Sequence, residues 1–444
     1  MSEESKIKFN VKLVIFIGFA FFTAEIAWAL YNARVPLLLK DYLPEYESGA
    51  LVLQLGIIGI LMALDNMLGV VLQPITGTLS DKTRSKYGRR MPFLMIGVPI
   101  AAVFFALIPW ETSILTLLIW MFFFGLAMGF YRAPAVSLMP DFVKPVNRSK
   151  GNAIINIFGG IGAAIGYVMS LLASIITLQG SFLVVSILMV IALGVLLWKV
   201  KESESFSYQK ILEFEAKKDE KFEEEKEPGL IASLKYILKE KDKSTLAILF
   251  AIFFWFVAYQ GLVALLSIFG TDVLGVSDDL AGFLPFFVAG ALIITAYPLS
   301  KLANKIGRRL CIKIGLCILI MSLFIGTFLA LVKSLIGIMI VLAIAGAGWA
   351  LVNVNSIVIV WELAPSKERI GTYTGVYYFF SFMAAIFGPF IMGSLTDLMT
   401  PGFPISLLIN AIIFFGISLI LMFFVKRGEA ELTEEMKLEA EKAM

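Results

Sequence analysis

Residues 81–90 read Asp81-Lys-Thr-Arg-Ser-Lys-Tyr-Gly-Arg-Arg90, and a shortened echo, Gly307-Arg308-Arg309, returns 219 residues after Gly88. Each of these polar turns lies between two apolar runs, and that repetition decides the fold. The first turn is flanked by runs at 50–80 and 91–109. A helix needs about 20 apolar residues to cross the hydrocarbon core of a bilayer. Further runs at 13–39, 113–140, 152–177 and 181–199 complete a set of six. Beyond one long polar stretch, 245–269, 280–302, 309–331, 334–361, 372–397 and 401–425 form a second six.

Composition leaves no other solvent for these runs. The 444 residues are 59% apolar and only 16% charged, with a mean hydropathy of +0.88. Soluble domains carry roughly 25% charged residues, so the polar surface here cannot cover the apolar surface in water. Histidine is absent, which removes histidine-based catalytic triads, metal sites and proton relays together. Cys311 and Cys317 share one apolar run and suggest neither a disulfide framework nor a zinc site. No G-x-x-x-x-G-K-[ST] loop is present, so an ATP-driven pump is not expected. Neither enzymatic activity nor a cofactor is expected, and no metal site or nucleic-acid partner. The first twelve residues lack an A-x-A-like cleavage site, and no removable signal peptide is read there.

The net charge of +3 says little until it is placed along the chain. Of the 37 lysines and arginines, only Lys40 and Lys333 fall in the connections after odd-numbered spans, and only Arg34 and Arg132 are counted to the spans themselves. All others belong to the two tails, to the connections after even-numbered spans or to the span ends that border those connections, as Lys199, Lys301, Arg309 and Lys313 do. The positive-inside rule then predicts that both termini are cytoplasmic, in a multi-pass protein of the cell membrane.

The long polar stretch divides the chain into a six-helix bundle (1–200), a cytoplasmic linker (201–244), a second six-helix bundle (245–428) and a tail (429–444). The linker's charged core predicts a flexible or loosely helical segment. After Pro228, apolar residues from Leu230 to Leu238 recur at helical spacing, which predicts an amphipathic helix on the membrane face. The halves repeat elsewhere too. Span four ends in Pro140-Asp141 with Arg148 seven residues after the acid, and span ten ends in Trp361-Glu362 with Arg369 seven later. Parallel repeats about an axis along the membrane normal are expected, as in transporters whose halves rock about a central site.

These residues carry a resemblance. The stretch from Asp81 to Arg90 resembles the cytoplasmic signature of the major facilitator superfamily in its longer form. Gln73-Pro74-x-x-Gly77-x-x-Ser80-Asp81, Arg89-Arg90-Met91-Pro92-Phe93 and Tyr131-Arg132-Ala133-Pro134 are similar to sucrose transporters and their animal relatives, the SLC45-like group. More distantly they resemble the glycoside–pentoside–hexuronide:cation symporters. The resemblance implies an all-α fold of twelve transmembrane helices in two six-helix bundles, a sugar substrate and a monomer working by alternating access. It also implies a cytoplasmic gate built on Asp81, Gly88, Arg89, Arg90, Asp141, Arg148, Glu362 and Arg369, latching the halves. In melibiose-type members two carboxylates stand one turn apart just before the Pro-x-x-Gly; those positions here are Gly69 and Gln73, with Asp65 a turn earlier. That departure favours proton over sodium coupling.

Charge within the spans is scarce, at about 2.5–3.5 kcal/mol per group on the insertion scale. Away from span ends it reduces to Glu25, Arg34, Asp65 and Arg132, all in the first half. Glu25 and Arg34 are nine residues apart, on opposite faces of one helix, so Asp65 or a substrate hydroxyl is the expected partner of Arg34. The four form the expected cation-coupling set, and with no histidine any proton coupling must run on carboxylates. A sugar needs hydrogen-bonding groups for its hydroxyls and an apolar surface for its C–H face. Trp28, Asn32, Asn152, Asn156, Trp255, Tyr259, Gln260, Asn353, Asn355 and Tyr377 offer both at mid-span. Aromatics at helical spacing are often packing residues, but lipid offers amides no hydrogen-bond partners. The rivals are a passive sugar uniporter and an exporter of another small organic solute.

Overall fold

The computed structural model describes residues 10–43, 53–143, 148–216, 237–238, 242–364, 370–399 and 405–429. Its helices include twelve long and apolar enough to cross a membrane. The first six are Val11–Tyr42, a broken pair Gln54–Met62 and Leu64–Lys82, Met91–Leu107, Ile114–Phe142, Arg148–Leu171 and Leu178–Lys199. The second six are Ser244–Phe269, a broken pair Asp278–Phe283 and Pro285–Ile306, Arg308–Leu331, Leu335–Glu362, Ile370–Met399 and Ser406–Phe424. Most lie within a few residues of the apolar runs, because the bilayer-spanning length sets them and capping trims their ends. Span one starts at the Asn10 side chain, which accepts the Leu13 N–H at 3.1 Å. Span four starts in a reciprocal capping box between Ser113 and Thr116.

The packing repeats with the sequence. Span one packs on spans five and six, span two on span four, and span three on spans four and six. Seven on eleven and twelve, eight on ten, and nine on ten and twelve reproduce that set six spans later. The bundles meet where span two lies against span eleven and span five against span eight, a symmetric pair of contacts.

One end of the molecule carries both Gly-Arg-Arg turns and is called the arginine face below. Gly88 and Gly307 sit there with φ of +107° and +88°, a left-handed conformation that side-chain-bearing residues rarely adopt. Phe206–Ala216 forms a helix that packs against span four, with Tyr208 buried and donating through its hydroxyl to Ser85 O at 3.1 Å. The amphipathic segment read at 230–238 lies, residues 237 and 238 apart, outside the described residues.

Candidate functional site

A cavity of about 450 Å³ opens between the two bundles. From the first bundle it is lined by Glu25, Trp28 and Asn32 of span one, Asp65 and Asn66 of span two, Arg132 of span four and Tyr167 of span five. From the second come Phe256, Tyr259 and Gln260 of span seven, Leu292 of span eight, and Trp349 and Asn353 of span ten. Every ionisable acid or base on the wall therefore belongs to the first half. Arg132 and Asn353 stand 221 residues apart, at equivalent points of the repeat.

Helix geometry brings these groups together. Glu25, Trp28 and Asn32 recur at i, i+3, i+7, so one face of span one reaches the cavity. Glu25 lies against Gly159 of span five, where an added Cβ would stand 3.2 Å from its Cγ. Asp65 follows the break at Ala63 that divides span two, and it accepts a long hydrogen bond from Asn66 Nδ2 at 3.3 Å. Arg132 acts electrostatically on both acids, yet among the described residues no ion pair joins it to either. The cavity thus holds two carboxyls, one guanidinium and no closed salt bridge. Across from them, the rings of Tyr259 and Trp349 stack with centroids 4.0 Å apart and planes 5° apart. Phe256 meets Trp349 edge-on at 5.4 Å. Such pairs contribute about 0.5–1.5 kcal/mol beyond area burial and fix a flat apolar wall. Among the described residues, the side-chain amides of Asn32, Gln260 and Asn353 have no hydrogen-bond partner within the protein.

Other residues of the expected site lie elsewhere. Arg34 pairs with Asp279 at the start of span eight, Nη1 to Oδ1, at 2.9 Å. This corrects the expected partner: Asp65 faces the cavity, while Arg34, two and a half turns beyond Glu25, faces the second bundle. Trp255 is fully buried in the core. Asn355 is buried and turned back on its own helix, donating to Leu351 O at 2.8 Å, and Tyr377 shares a hydrogen bond with Ser356 at 3.1 Å. Asn156 donates to Asn152 O at 2.8 Å within span five, and neither lines the cavity. Tyr167 and Asn66 do line it. Sequence reading passed over both; Asn66 was legible as an amide beside Asp65, but Tyr167 carried no separate signal.

At the arginine face Arg89 and Arg90 converge on buried Asp141, through Nε contacts of 3.1 and 3.3 Å, and both also pair with Asp81. Arg308 pairs with Glu362 at 3.3 Å. The acids ending spans four and ten, expected to face Arg148 and Arg369, are therefore paired with the Gly-Arg-Arg turns. The Arg148 side chain and all of Arg369 lie outside the described residues. Each of these pairs is internal to one bundle. Two further acids complete the pattern. Glu202 accepts the backbone N–H groups of Arg90 and Met91, at 2.8–2.9 Å and 2.8 Å. Glu429 accepts those of Arg308 and Arg309, at 2.9 and 2.8 Å. Each caps the N-terminus of the helix that follows its turn, where the helix dipole favours a carboxylate.

The polar contacts that join the two bundles among the described residues all lie at the opposite face. They are Arg34–Asp279, Lys40–Asp272 and the Gly56 N–H donated to Asp397 Oδ2 at 3.0 Å. Beside them Gly56 and Gly59 of span two press against Ser394 and the Pro389 carbonyl of span eleven, with no room for a Cβ. The bundles are thus held in close contact at that face.

Two pseudo-equivalent bundles around a central cavity, joined by polar contacts at one face, define a membrane carrier. The Major Facilitator Superfamily pattern matches residues 17–389, and the chain belongs to that superfamily of secondary transporters. It is 29% identical over 175 residues to the human membrane-associated transporter protein, covering 35% of this chain and 31% of that protein. It is 27% identical over 121 residues to sucrose transport protein SUC3 of Arabidopsis thaliana, covering 22% of this chain and 20% of that one. The matches thus span about a third or less of these curated relatives. Among solved structures, a bacterial homolog of the human lysosomal transporter Spinster aligns with a TM-score of 0.70 at 14% identity, covering 94% of this chain and 97% of that one. A D-xylose-proton symporter aligns at 0.68 and 14%, over 94% and 97%. At these identities the structures report the shared fold.

Proposed function

We propose that this carrier is a proton-coupled symporter of a sugar, a disaccharide or glycoside, working as a monomer in the cell membrane. The observation that carries the proposal is the make-up of the cavity: Glu25, Asp65 and Arg132 on one wall, free amides beside them, and the Tyr259–Trp349 stack opposite. Two carboxyls and one guanidinium leave an unbalanced charge in a low-dielectric site. A proton taken up with the substrate removes the imbalance and lets Arg132 turn to a sugar hydroxyl. The amides then serve the remaining hydroxyls, and the ring stack receives the C–H face. The partial similarity to a sucrose transport protein supports the same substrate class. Gly69 and Gln73, where sodium-coupled relatives place carboxylates, favour protons over sodium.

With the lysine- and arginine-rich connections in the cytoplasm, both termini are cytoplasmic and the described arrangement is the inward-open one. Proteoliposome uptake of labelled sucrose, maltose, lactose and glucose under separately imposed gradients tests the reading. Concentrative uptake is expected under a proton gradient alone. Uptake that continues unchanged when the proton gradient is collapsed and a sodium gradient is kept would sink the coupling. A sugar that only ever equilibrates would make the protein a passive uniporter, and no sugar uptake at all would favour an exporter of another organic solute.

A further inference from the structure

A second space lies beside the central cavity, inside the second bundle. It measures about 50 Å³ and is walled by aliphatic and ring carbons, among them Leu266, Val288, Leu323, Leu342, Ala345 and Phe415. It shares Tyr167, Tyr259, Val263 and Trp349 with the central cavity. The common wall is thus made of side chains, and the stacked ring pair forms part of it.

The chemistry of the two spaces differs sharply. The charged groups of the central cavity are all on the first bundle, its amides are divided between the bundles, and the wall it shares with the chamber is Tyr167, Tyr259, Val263 and Trp349. The side-chain groups that could offer a hydrogen bond to anything in the chamber are the two tyrosine hydroxyls and the Trp349 indole N–H, all on the shared wall, and the rest of the lining is apolar, whereas a resident water needs two to four polar partners. The chamber suits an apolar group and not solvent. One water-sized probe occupies about 10–15 Å³, so the chamber takes about three to five heavy atoms, the size of a short alkyl group.

We propose that the central cavity and this chamber together form a two-part site for a glycoside with a small apolar aglycone, the sugar lying against Arg132 and the amides and the apolar limb passing the Tyr259–Trp349 pair into the chamber. This assignment rests on the sugar reading above and narrows it, from disaccharide or glycoside to an alkyl or similarly small apolar glycoside. A second sugar ring placed in the chamber would leave hydroxyls against its apolar lining without partners, which costs affinity.

The physical signature is a chain-length optimum. Burying each methylene should tighten binding about fourfold, until the chamber is full at about three to five carbons. A longer chain must then either displace packed side chains or remain outside. The test is competition by ethyl, n-propyl, n-butyl and n-hexyl β-glucosides against uptake of labelled methyl β-glucoside into proteoliposomes. Inhibition constants are expected to fall stepwise to n-propyl and rise again by n-hexyl. Ala345→Leu, which fills the chamber from span ten, should flatten the series. Leu323→Ala, which enlarges it from span nine, should move the optimum to a longer chain, so either variant suffices if the other fails to fold. Methyl glucoside uptake with no chain-length effect, or affinity that keeps rising through n-hexyl as membrane partitioning would give, overturns the two-part site and leaves the sugar reading standing. Failure of every glucoside, methyl included, to be transported removes the sugar reading and this assignment with it.

Discussion

Arg34 of span one and Asp279 of span eight join the two bundles across the opposite face at 2.9 Å, with side chains 8% and 17% exposed. A pair this sheltered lies between exposed ion pairs, which contribute little, and buried ones, whose single-partner removal costs about 3–5 kcal/mol. Loss of either partner should cost the contact at the opposite face about 2 kcal/mol, an order-of-magnitude figure on that scale. Arg34→Gln and Asp279→Asn are each expected to increase labelling of single cysteines placed on the opposite-face side of the cavity. The exchange Arg34→Asp with Asp279→Arg should bring labelling back toward the parent. Labelling that does not respond to any of these variants would show that the pair does not bias the equilibrium.

Glu25 and Asp65 are predicted to serve coupling and not substrate recognition. Glu25→Gln should abolish accumulation down a proton gradient while sugar exchange between the two sides continues. Counterflow and gradient-driven uptake, measured on the same proteoliposomes, separate the two activities. Intact concentrative uptake in that variant would remove Glu25 from the mechanism.

The ring stack should act on affinity. Replacing Tyr259 by Ala removes one partner of a pair worth about 0.5–1.5 kcal/mol beyond area burial, together with its share of the C–H-binding surface. An increase in KM of roughly 2–12-fold is expected from that range, with the maximal rate changed less. A fall in maximal rate at constant KM would place Tyr259 in the conformational step instead.

Glu202 and Glu429 cap helices in separate bundles, so their effects should add. Each change to Gln leaves a weaker cap and is expected to cost about 1 kcal/mol. Thermal unfolding in detergent should show two similar losses and a double variant close to their sum.

Asp242 offers a pH test outside the membrane. Its carboxylate accepts the Ser244 hydroxyl and backbone N–H at 2.7 and 2.9 Å and pairs with Arg427. The Ser244 hydrogen bonds, more than the arginine, hold its acid constant below the ordinary value of 3.8. A depressed native value means the stabilisation is complete above the unfolded value and is lost as pH falls through the native one. Melting temperatures should therefore decline below about pH 4, and Asp242→Asn should remove this part of the decline. An unchanged profile in that variant would show that the contact does not contribute.

Much of the fold could be read from the residues, because a bilayer imposes a length on every crossing and leaves it apolar. The cavity was legible in part for a related reason. Charge and amides are costly in lipid, so Glu25, Asp65, Arg132, Asn32, Gln260 and Asn353 stand out against an apolar background. Trp255 and Trp28 look alike in sequence, and only their helix faces separate a core ring from a wall ring. Arg34 illustrates the same limit: its depth is visible in the sequence, but its partner is 245 residues away.

Sequence by itself determined the twelve spans, the two-fold repeat and the small set of intramembrane charges, since each follows from hydrophobic period, span length or residue type. Tertiary structure alone decided which face of each helix meets the cavity, that Glu202 and Glu429 cap the Gly-Arg-Arg turns, and that the bundles are held together at the opposite face. Those relationships depend on helix rotation and on contacts between residues distant in the chain, and local periodicity carries no information about either.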